Sequence, residues 1–461
     1  MVPRSLTALA VFALFAPTTS LAATLSCNGG PAPAFPFKVA DGWSATPILG
    51  NLSRPRSVVV DTKGNLLVLE RGKGITGHKI DDNGCVKESK VVVDDPNLNH
   101  GLDAHPDGKT LVASTPDIAY EFQYDPDKLE AGARKQLVIG MQGPGHNTRT
   151  VLIPRKNTDY LVVSVGSGEN IDEGAFQTSS GRAQIRSFNT KTLSVDGSAF
   201  SDDNAGKIMA FGMRNAVGLA EDREGNIHAI DNSVDDAYRV SIVTNTVIDI
   251  HDDNPAEKVY ILGQPNAPNG SFFAGAPYCY TVFDPTPITD VTLQPGDYFA
   301  LQPNSTFNDG WCASNAARPE LILAPHVAPL DIKFGVKKDD DNLYVSLHGS
   351  YNTDEPIGYK VMIVSGKYDG GKWTPSAGIQ TPSTDLLANQ DESNCDEGCF
   401  RPVGLAFDKD GEHLFVASDT SGEVFVVKKG NGAFSSFKHH PPAIAVALVL
   451  PAFLYALSGL L

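Results

Sequence analysis

"SVVVDTKGNLLVLERG" (residues 57–72) and "VGLAFDKDGEHLFVASDTSG" (403–422) are one phrase written twice in different residues. Each is an apolar run, an acidic or polar turn containing Gly, and a second apolar run, which is the signature of a hairpin. Four more copies follow the same plan: "GLDAHPDGKTLVAS" (101–114), "VLIPRKNTDYLVVSVGSG" (151–168), "VGLAEDREGNIHAIDNS" (217–233) and "PLDIKFGVKKDDDNLYVSLHGS" (329–350). One such hairpin cannot bury both of its faces, so the copies must stack on one another. Six of them, separated by long insertions, predict an all-β chain folded as a six-bladed β-propeller in a single domain. A large β-sandwich is the competing architecture. No amphipathic window of useful helical length lies between the two ends of the chain.

The ends read differently from the middle. Residues 1–22 have Arg4, a short apolar run and the small-x-small site Ser20-Leu21-Ala22, the layout of a secretory signal peptide. Residues 431–461 combine small residues around Asn431 and Gly432, a polar spacer and an apolar tail from Ala443 with no charge after it. That order matches a glycolipid-anchor signal, a GPI type, and the missing terminal cations disfavour a stop-transfer helix. The propeller is therefore expected over 23–430, in a protein that is secreted and tethered to membrane or wall by a lipid.

The six cysteines, Cys27, Cys85, Cys279, Cys312, Cys395 and Cys399, all fall in that middle part. An even count on a secretory route implies three bridges stapling loops. Chain order suggests 27–85, 279–312 and 395–399, although sequence does not fix connectivity. Sequons at Asn51, Asn269 and Asn304 call for surface loops and a glycoprotein. A formal net charge of −17 repels phosphate backbones and disfavours nucleic acid.

In a propeller, loops at one end of the axis converge on a shared pocket. Polar groups stand at equivalent places in the repeats: Arg54-Pro55-Arg56 in the first, Asn99-His100 in the second, His146 with Arg149 nearby in the third. Arg214 and Asn215 precede the fourth, His348 ends the fifth and Arg401 opens the sixth. Any single arginine here reads best as a solvated surface charge. Arg56, Arg214 and Arg401 in one topological place point instead to a ligand rich in carboxylates or phosphates, which guanidinium forks bind bidentately. His100 belongs to the same ligand-facing set. His146 alone reads as a structural histidine, but among cations a neutral imidazole is a candidate general base.

"LSRPRSVVVDTKGNLLVLER", "GHNTRTVLIP", "FGMRNAVGLA", "NLYVSLHGS" and "RPVGLAFDKDGEHLFVASDTSG" resemble the fungal pyrroloquinoline-quinone (PQQ)-dependent pyranose dehydrogenases, from about Ala34 to Val427. They are more distantly similar to bacterial soluble quinoprotein glucose dehydrogenase and to sorbosone dehydrogenase. The resemblance implies an oxidoreductase that oxidises the anomeric carbon of a pyranose with PQQ and Ca²⁺. It implies that Arg56, Arg214, Asn215 and Arg401 hold cofactor oxygens and that His146 is the catalytic base. His348 stands where the bacterial glucose enzyme has a cofactor-binding lysine, so bacterial substrate preference does not transfer. "AIDNSVDDAY" aligns with the family's calcium loop and implies Asp231, Asn232 and Ser233 as metal ligands; an ordinary Asx-turn explains the same residues. Asp235 and Asp236 read as solvated turn charges, as do "HDDNPAEK" (251–258) and "KKDDDN" (337–342). By analogy, electrons would leave to a separate acceptor, a cytochrome domain or a copper oxidase.

Two other functions compete. A Ca²⁺-dependent propeller lactonase or esterase would ring its metal with carboxylates and amides and have little use for arginines. A non-catalytic surface propeller binding glycan or protein would need no quinone. Tyr278, Tyr280 and Trp311 would meet if Cys279 bonds Cys312, either to stack on sugar or to pack the disulfide.

Overall fold

A computed structural model describes Cys27, residues 29–395 and residues 398–430. Residues 1–22 and 431–461, read above as signal peptide and anchor signal, lie outside the described residues. All six repeats form the two inner strands of a blade. These strand pairs are Pro55–Val60 with Leu66–Glu70, Leu102–Ala104 with Thr110–Ser114, Val151–Leu152 with Tyr160–Val165, Ala216–Glu221 with Ile227–Asp231, Pro329–Phe334 with Leu343–Leu347, and Pro402–Phe407 with His413–Ser418. They head six sheets of four or five strands, blades one to six in chain order. The fold is an all-β six-bladed propeller, and the one α-helix among the described residues is the short Asp309–Asn315.

Strand periodicity explains why the blades stack. Side chains of a strand alternate between faces. In blade one Leu67 and Leu69 pack into an apolar cluster with Leu111, Ala113 and Phe122 of blade two. Their neighbours Leu66 and Val68 face the other way, against Phe415, Val424 and Val426 of blade six. Every one of these side chains is buried, so Leu66–Glu70 shows no polar alternation although it is half of a hairpin. Corresponding clusters join blades two and three, three and four, four and five, and five and six.

Closure comes from the N-terminus. Trp43–Leu49 adds the outermost strand of blade six by pairing with Glu423–Lys429, and Phe37–Val39 adds the outermost strand of blade five by pairing with Ser383–Asn389. The disulfides are Cys27–Cys85, Cys279–Cys312 and Cys395–Cys399, the order-of-chain pairing. Asn51, Asn269 and Asn304 are exposed, as the sequons require.

At the axis, hydroxyls of one blade donate to carbonyls of the next: Ser57 to His100 (2.5 Å), Ser114 to Arg149 (2.6 Å), Thr150 to Val217 (2.5 Å) and Ser346 to Val403 (2.5 Å). The inner strands approach so closely that a Cβ on Gly404 would lie 2.9 Å from Ser57 Cα. That contact is below any ordinary van der Waals distance, which is why "VGL" opens two of the repeats. The channel they enclose, about 470 Å³, runs from Arg56 and His100 past Leu102, Leu219 and Phe334 to the opposite face.

Candidate active site

The ends of the inner strands gather the sequence-derived residues into two groups on one face. The first joins blades five, six and one. Arg56 donates to one oxygen of Asp419 (2.5 Å) and His348 Nε2 to the other (2.8 Å). Burial opposes the Asp419 charge, but these two donors outweigh it and hold the carboxyl well below the usual range. Burial, reinforced by Arg56 and Arg401, keeps His348 neutral by lowering its pKa against the pull of Asp419. Arg401 lies with its guanidinium 4.8 Å from the Tyr359 ring centroid and donates to the Tyr359 hydroxyl (3.3 Å). Tyr359 in turn packs on the Cys395–Cys399 bridge.

The second group joins blades three and four. His146 Nδ1 lies 3.1 Å from the Ser167 carbonyl and 3.0 Å from Ser167 Oγ. A carbonyl only accepts, and Ser167 Oγ already donates to the Glu169 carbonyl (2.7 Å), so Nδ1 carries the proton. Nε2 is left with the lone pair. Burial, then Arg214, lowers the pKa of this imidazole to about 4. It is a neutral ring with a fixed tautomer, as a general base requires. Gly166 lets the pieces close up: a Cβ there would stand 2.7 Å from His146 Cβ and 2.9 Å from Asn215 Oδ1.

Arg214 is buried and fixed by Asn170, by Asp235 (2.9 Å) and by the Asn232 carbonyl. Asp235 is therefore no free turn charge: it pairs with Arg214 and lies 3.5 Å from His326. The Asp231 carboxylate is also engaged, accepting from the backbone of Asn215 (2.8 Å) and Arg214 (3.3 Å) and facing Lys258 at 3.3 Å. The Asn232 amide donates to the carbonyls of Asn215 and Pro329, and Ser233 N–H donates to Glu257 (2.6 Å). Burial raises Glu257 to about 7.

Between the groups stand Asn99 and His100. Asn99 donates to the Asn147 carbonyl (2.9 Å), next to His146, while His100 receives the latch from Ser57, next to Arg56. Burial and Arg56 push the His100 pKa far down. Three buried polar atoms in these groups have no partner: Asn99 Oδ1, His100 Nδ1 and Ser233 Oγ.

Some expectations change. Arg149 is no solvated surface charge; it is fully buried and donates to the carbonyls of Met141, His146 and Thr148, bracing the His146 loop. Tyr278 and Trp311 meet Phe176 and Phe307 beside Cys279–Cys312, but Tyr280 turns into a separate cluster with Phe299. In "HDDNPAEK", Asn254, Glu257 and Lys258 are buried rather than solvated. Sequence reasoning missed Asp419, Ser167 and Asn170. Asp419 had a signal: "VASDTSG" ends the second strand of its repeat, as "AIDNS" does in the fourth.

The profile of the TrAA12-like family matches residues 37–430. The chain is 49% identical over 416 residues to a PQQ-dependent pyranose dehydrogenase of Coprinopsis cinerea, covering 88% of this chain and 57% of that protein. It is 35% identical to a PQQ-dependent sugar dehydrogenase of Hypocrea jecorina, over 85% of this chain and 90% of the other. The holo form of the C. cinerea pyranose dehydrogenase PQQ domain superposes with a TM-score of 0.84 at 48% identity, covering 87% of this chain and 99% of that one. A calcium structure of the Trichoderma reesei family AA12 enzyme superposes at 0.80 with 33% identity, covering 87% and 99%. The chain thus spans little more than half the length of the curated Coprinopsis relative and nearly all of its PQQ domain. With its propeller, its arginine-flanked imidazole and these likenesses, the chain belongs to the TrAA12-like family.

Proposed function

We propose that the chain is a sugar dehydrogenase that binds PQQ and Ca²⁺, oxidises the anomeric carbon of a pyranose and passes electrons to a separate acceptor. The observation that carries this reading is His146: its Nδ1–H is committed to the Ser167 carbonyl, which leaves Nε2 as the lone-pair nitrogen of a neutral ring within the field of Arg214. Both relatives of known activity named above are PQQ-dependent dehydrogenases of sugars.

The residues present fit a polyanionic cofactor. Arg56, Arg214 and Arg401 come from three blades, as carboxylates spread around one planar ligand require. The partnerless Asn99 Oδ1 and His100 Nδ1 are polar atoms that a ligand would satisfy. His348 and Asn215 complete the set of cofactor contacts. For Ca²⁺, Asn232 and Ser233 offer hard oxygens, with the Asp231 carboxylate as a fixed negative neighbour rather than a free ligand.

When bound, the quinone supplies the two-electron sink for the C1 hydride, with Ca²⁺ as Lewis acid. His146 Nε2 takes the proton of the anomeric hydroxyl, and the Ser167 carbonyl stabilises the imidazolium that results. Burial and Arg214 disfavour that cation, so the proton does not rest on His146 before the sugar is bound. Asp419 holds Arg56 and His348 in place, which fixes cofactor contacts without touching the sugar.

Residues 1–22 would direct export and 431–461 would attach the protein to a lipid, so the enzyme would work at the cell surface. By analogy, the acceptor is a cytochrome domain or a copper oxidase. Reconstitution of residues 23–430 with PQQ and Ca²⁺ tests the reading. Dye reduction by reducing sugars is expected, lost with a chelator; a preparation that only hydrolyses lactones would replace it with the lactonase. Release of surface activity from intact cells by a phosphatidylinositol-specific phospholipase tests the anchor.

A further inference from the structure

Blade four sends out a hairpin, Tyr238–Val240 against Val247–Asp249, with Val240 opposite Val247 and Tyr238 opposite Asp249. Alternation turns Arg239 inward, where it is fully buried and held by Asp290 (2.9 Å), Asp309 (2.7 Å) and the Ala300 carbonyl (2.6 Å). Ile248, its cross-strand partner, packs against the cluster of Val234, Ile250, Tyr280 and Phe299. The hairpin is thus anchored on one face, and its other face, carrying Tyr238, Val240 and Val247 with Asp249 at its edge, is uncovered. Tyr238 is 44% exposed and Val247 66%, and the turn adds Ile242 at 57% and Val243 at 75%. Tyr351, 90% exposed, adjoins Asn352, whose amide bonds Asp236 in both directions (2.7 and 3.0 Å). These five are the majority of the nine large apolar side chains exposed among the described residues, so they are a patch and not scatter.

The rim of the patch is acidic. Between Asp231 and Leu262 the exposed charges are Asp236, Asp249 and Asp253; Arg239 and Lys258 are buried, and the one other basic group, half-buried His251, bonds Asp249 (2.7 Å). Asp354 is brought to the same place by its backbone bond to Asp252 (3.0 Å). Like charge disfavours a second copy of this chain, whose net charge is −17, and anionic lipid equally. An apolar patch inside an acidic rim suits a protein with an apolar patch inside a lysine- and arginine-rich rim. Its position names the use. Asp235, three residues before Tyr238, grips Arg214 of the candidate site, so a protein seated here stands at the site's wall.

We propose that the 238–249 hairpin face, with Tyr351, is the docking surface for a basic-rimmed redox protein that accepts the electrons of sugar oxidation. The docking of such an acceptor rests on the dehydrogenase reading; the binding surface itself is measurable without it. The probe is mitochondrial cytochrome c, a lysine-rimmed haem protein, bound to immobilised cofactor-free chain at low salt. The variant Val243→Ser/Val247→Ser should weaken binding about tenfold or more, as loss of buried apolar anchors does. Added salt should weaken wild-type binding steeply. A control, Val91→Ser on the outer strand of blade one, should bind as wild type, with all three proteins melting alike. In the loaded enzyme, cytochrome c reduction should fall by the same factor while reduction of a small dye is unchanged. The surface is refuted by a wild type that does not bind, by a Val243→Ser/Val247→Ser chain that binds normally, or by Val91→Ser losing as much. Failure of sugar to reduce the dye in any variant would sink the dehydrogenase reading alone.

Discussion

Replacing Gly166 by Ala tests the geometry of the proposed base and of Asn215 beside it. Gly166 is not in the left-handed region, so the new methyl meets no backbone strain, only neighbours. Its Cβ would lie 2.7 Å from His146 Cβ and 2.9 Å from Asn215 Oδ1. To regain an ordinary contact of at least 3.4 Å the His146 Cβ, and the ring it carries, must recede by about 0.7 Å. Its loop resists, because Arg149 braces three carbonyls of it from a fully buried position. Overpacking of this kind costs about 1–3 kcal/mol of stability, and a reacting group misplaced by close to 1 Å loses on the order of 10²-fold in rate. The expected result is a reconstituted enzyme with kcat for sugar oxidation down about 100-fold, cofactor binding weakened through the displaced Asn215, and a Tm lower by a few degrees. Gly132→Ala is the control, since its nearest neighbour would be 3.5 Å away. Wild-type turnover in Gly166→Ala would refute the placement of His146 against this wall.

In the cofactor-free chain, NMR titration of His146 should inflect near pH 4 instead of in the ordinary imidazole range, because burial and Arg214 disfavour its cation; an inflection above pH 6 contradicts it. Asp419→Asn removes the charge facing Arg56 and leaves one acceptor oxygen where Arg56 and His348 used two, and should lower unfolding stability at pH 7 by about 3 kcal/mol in denaturant titration. The folded Asp419 pKa is depressed, so its contribution is complete above about pH 4 and drains as pH falls further; the Asn variant should lack that acid slope. Replacing Cys395 and Cys399 by Ser opens a ring of sequence separation 4, worth about 2 kcal/mol of chain entropy, and loosens Tyr359 under Arg401. Weaker PQQ binding with unchanged sugar KM is expected; identical PQQ affinity would show that the bridge does not position Arg401. Deleting residues 23–49 removes the outermost strands of blades five and six, and circular dichroism should show no folded propeller.

The hairpin phrase, its turn residues and its six copies are local, and local alternation sufficed for the blade count, since each repeat carries its own apolar faces to its neighbours. The same copies revealed Arg56, Arg214 and Arg401, because equivalent positions in a radial repeat share one end of the axis. What alternation could not reveal was partnership. Asp419 lies 363 residues from Arg56, and only closure of the ring by Trp43–Leu49 brings them to 2.5 Å. Asp235 looked like a turn charge until folding placed Arg214 against it, and Arg149 looked like a solvated charge until its guanidinium turned inward. Periodicity along the chain reports burial, which is a property of one strand. Charge pairing and the influence of Arg214 on His146 depend on atoms from different blades, and the His146 tautomer on Ser167, 21 residues away, so they exist only once those parts of the chain meet.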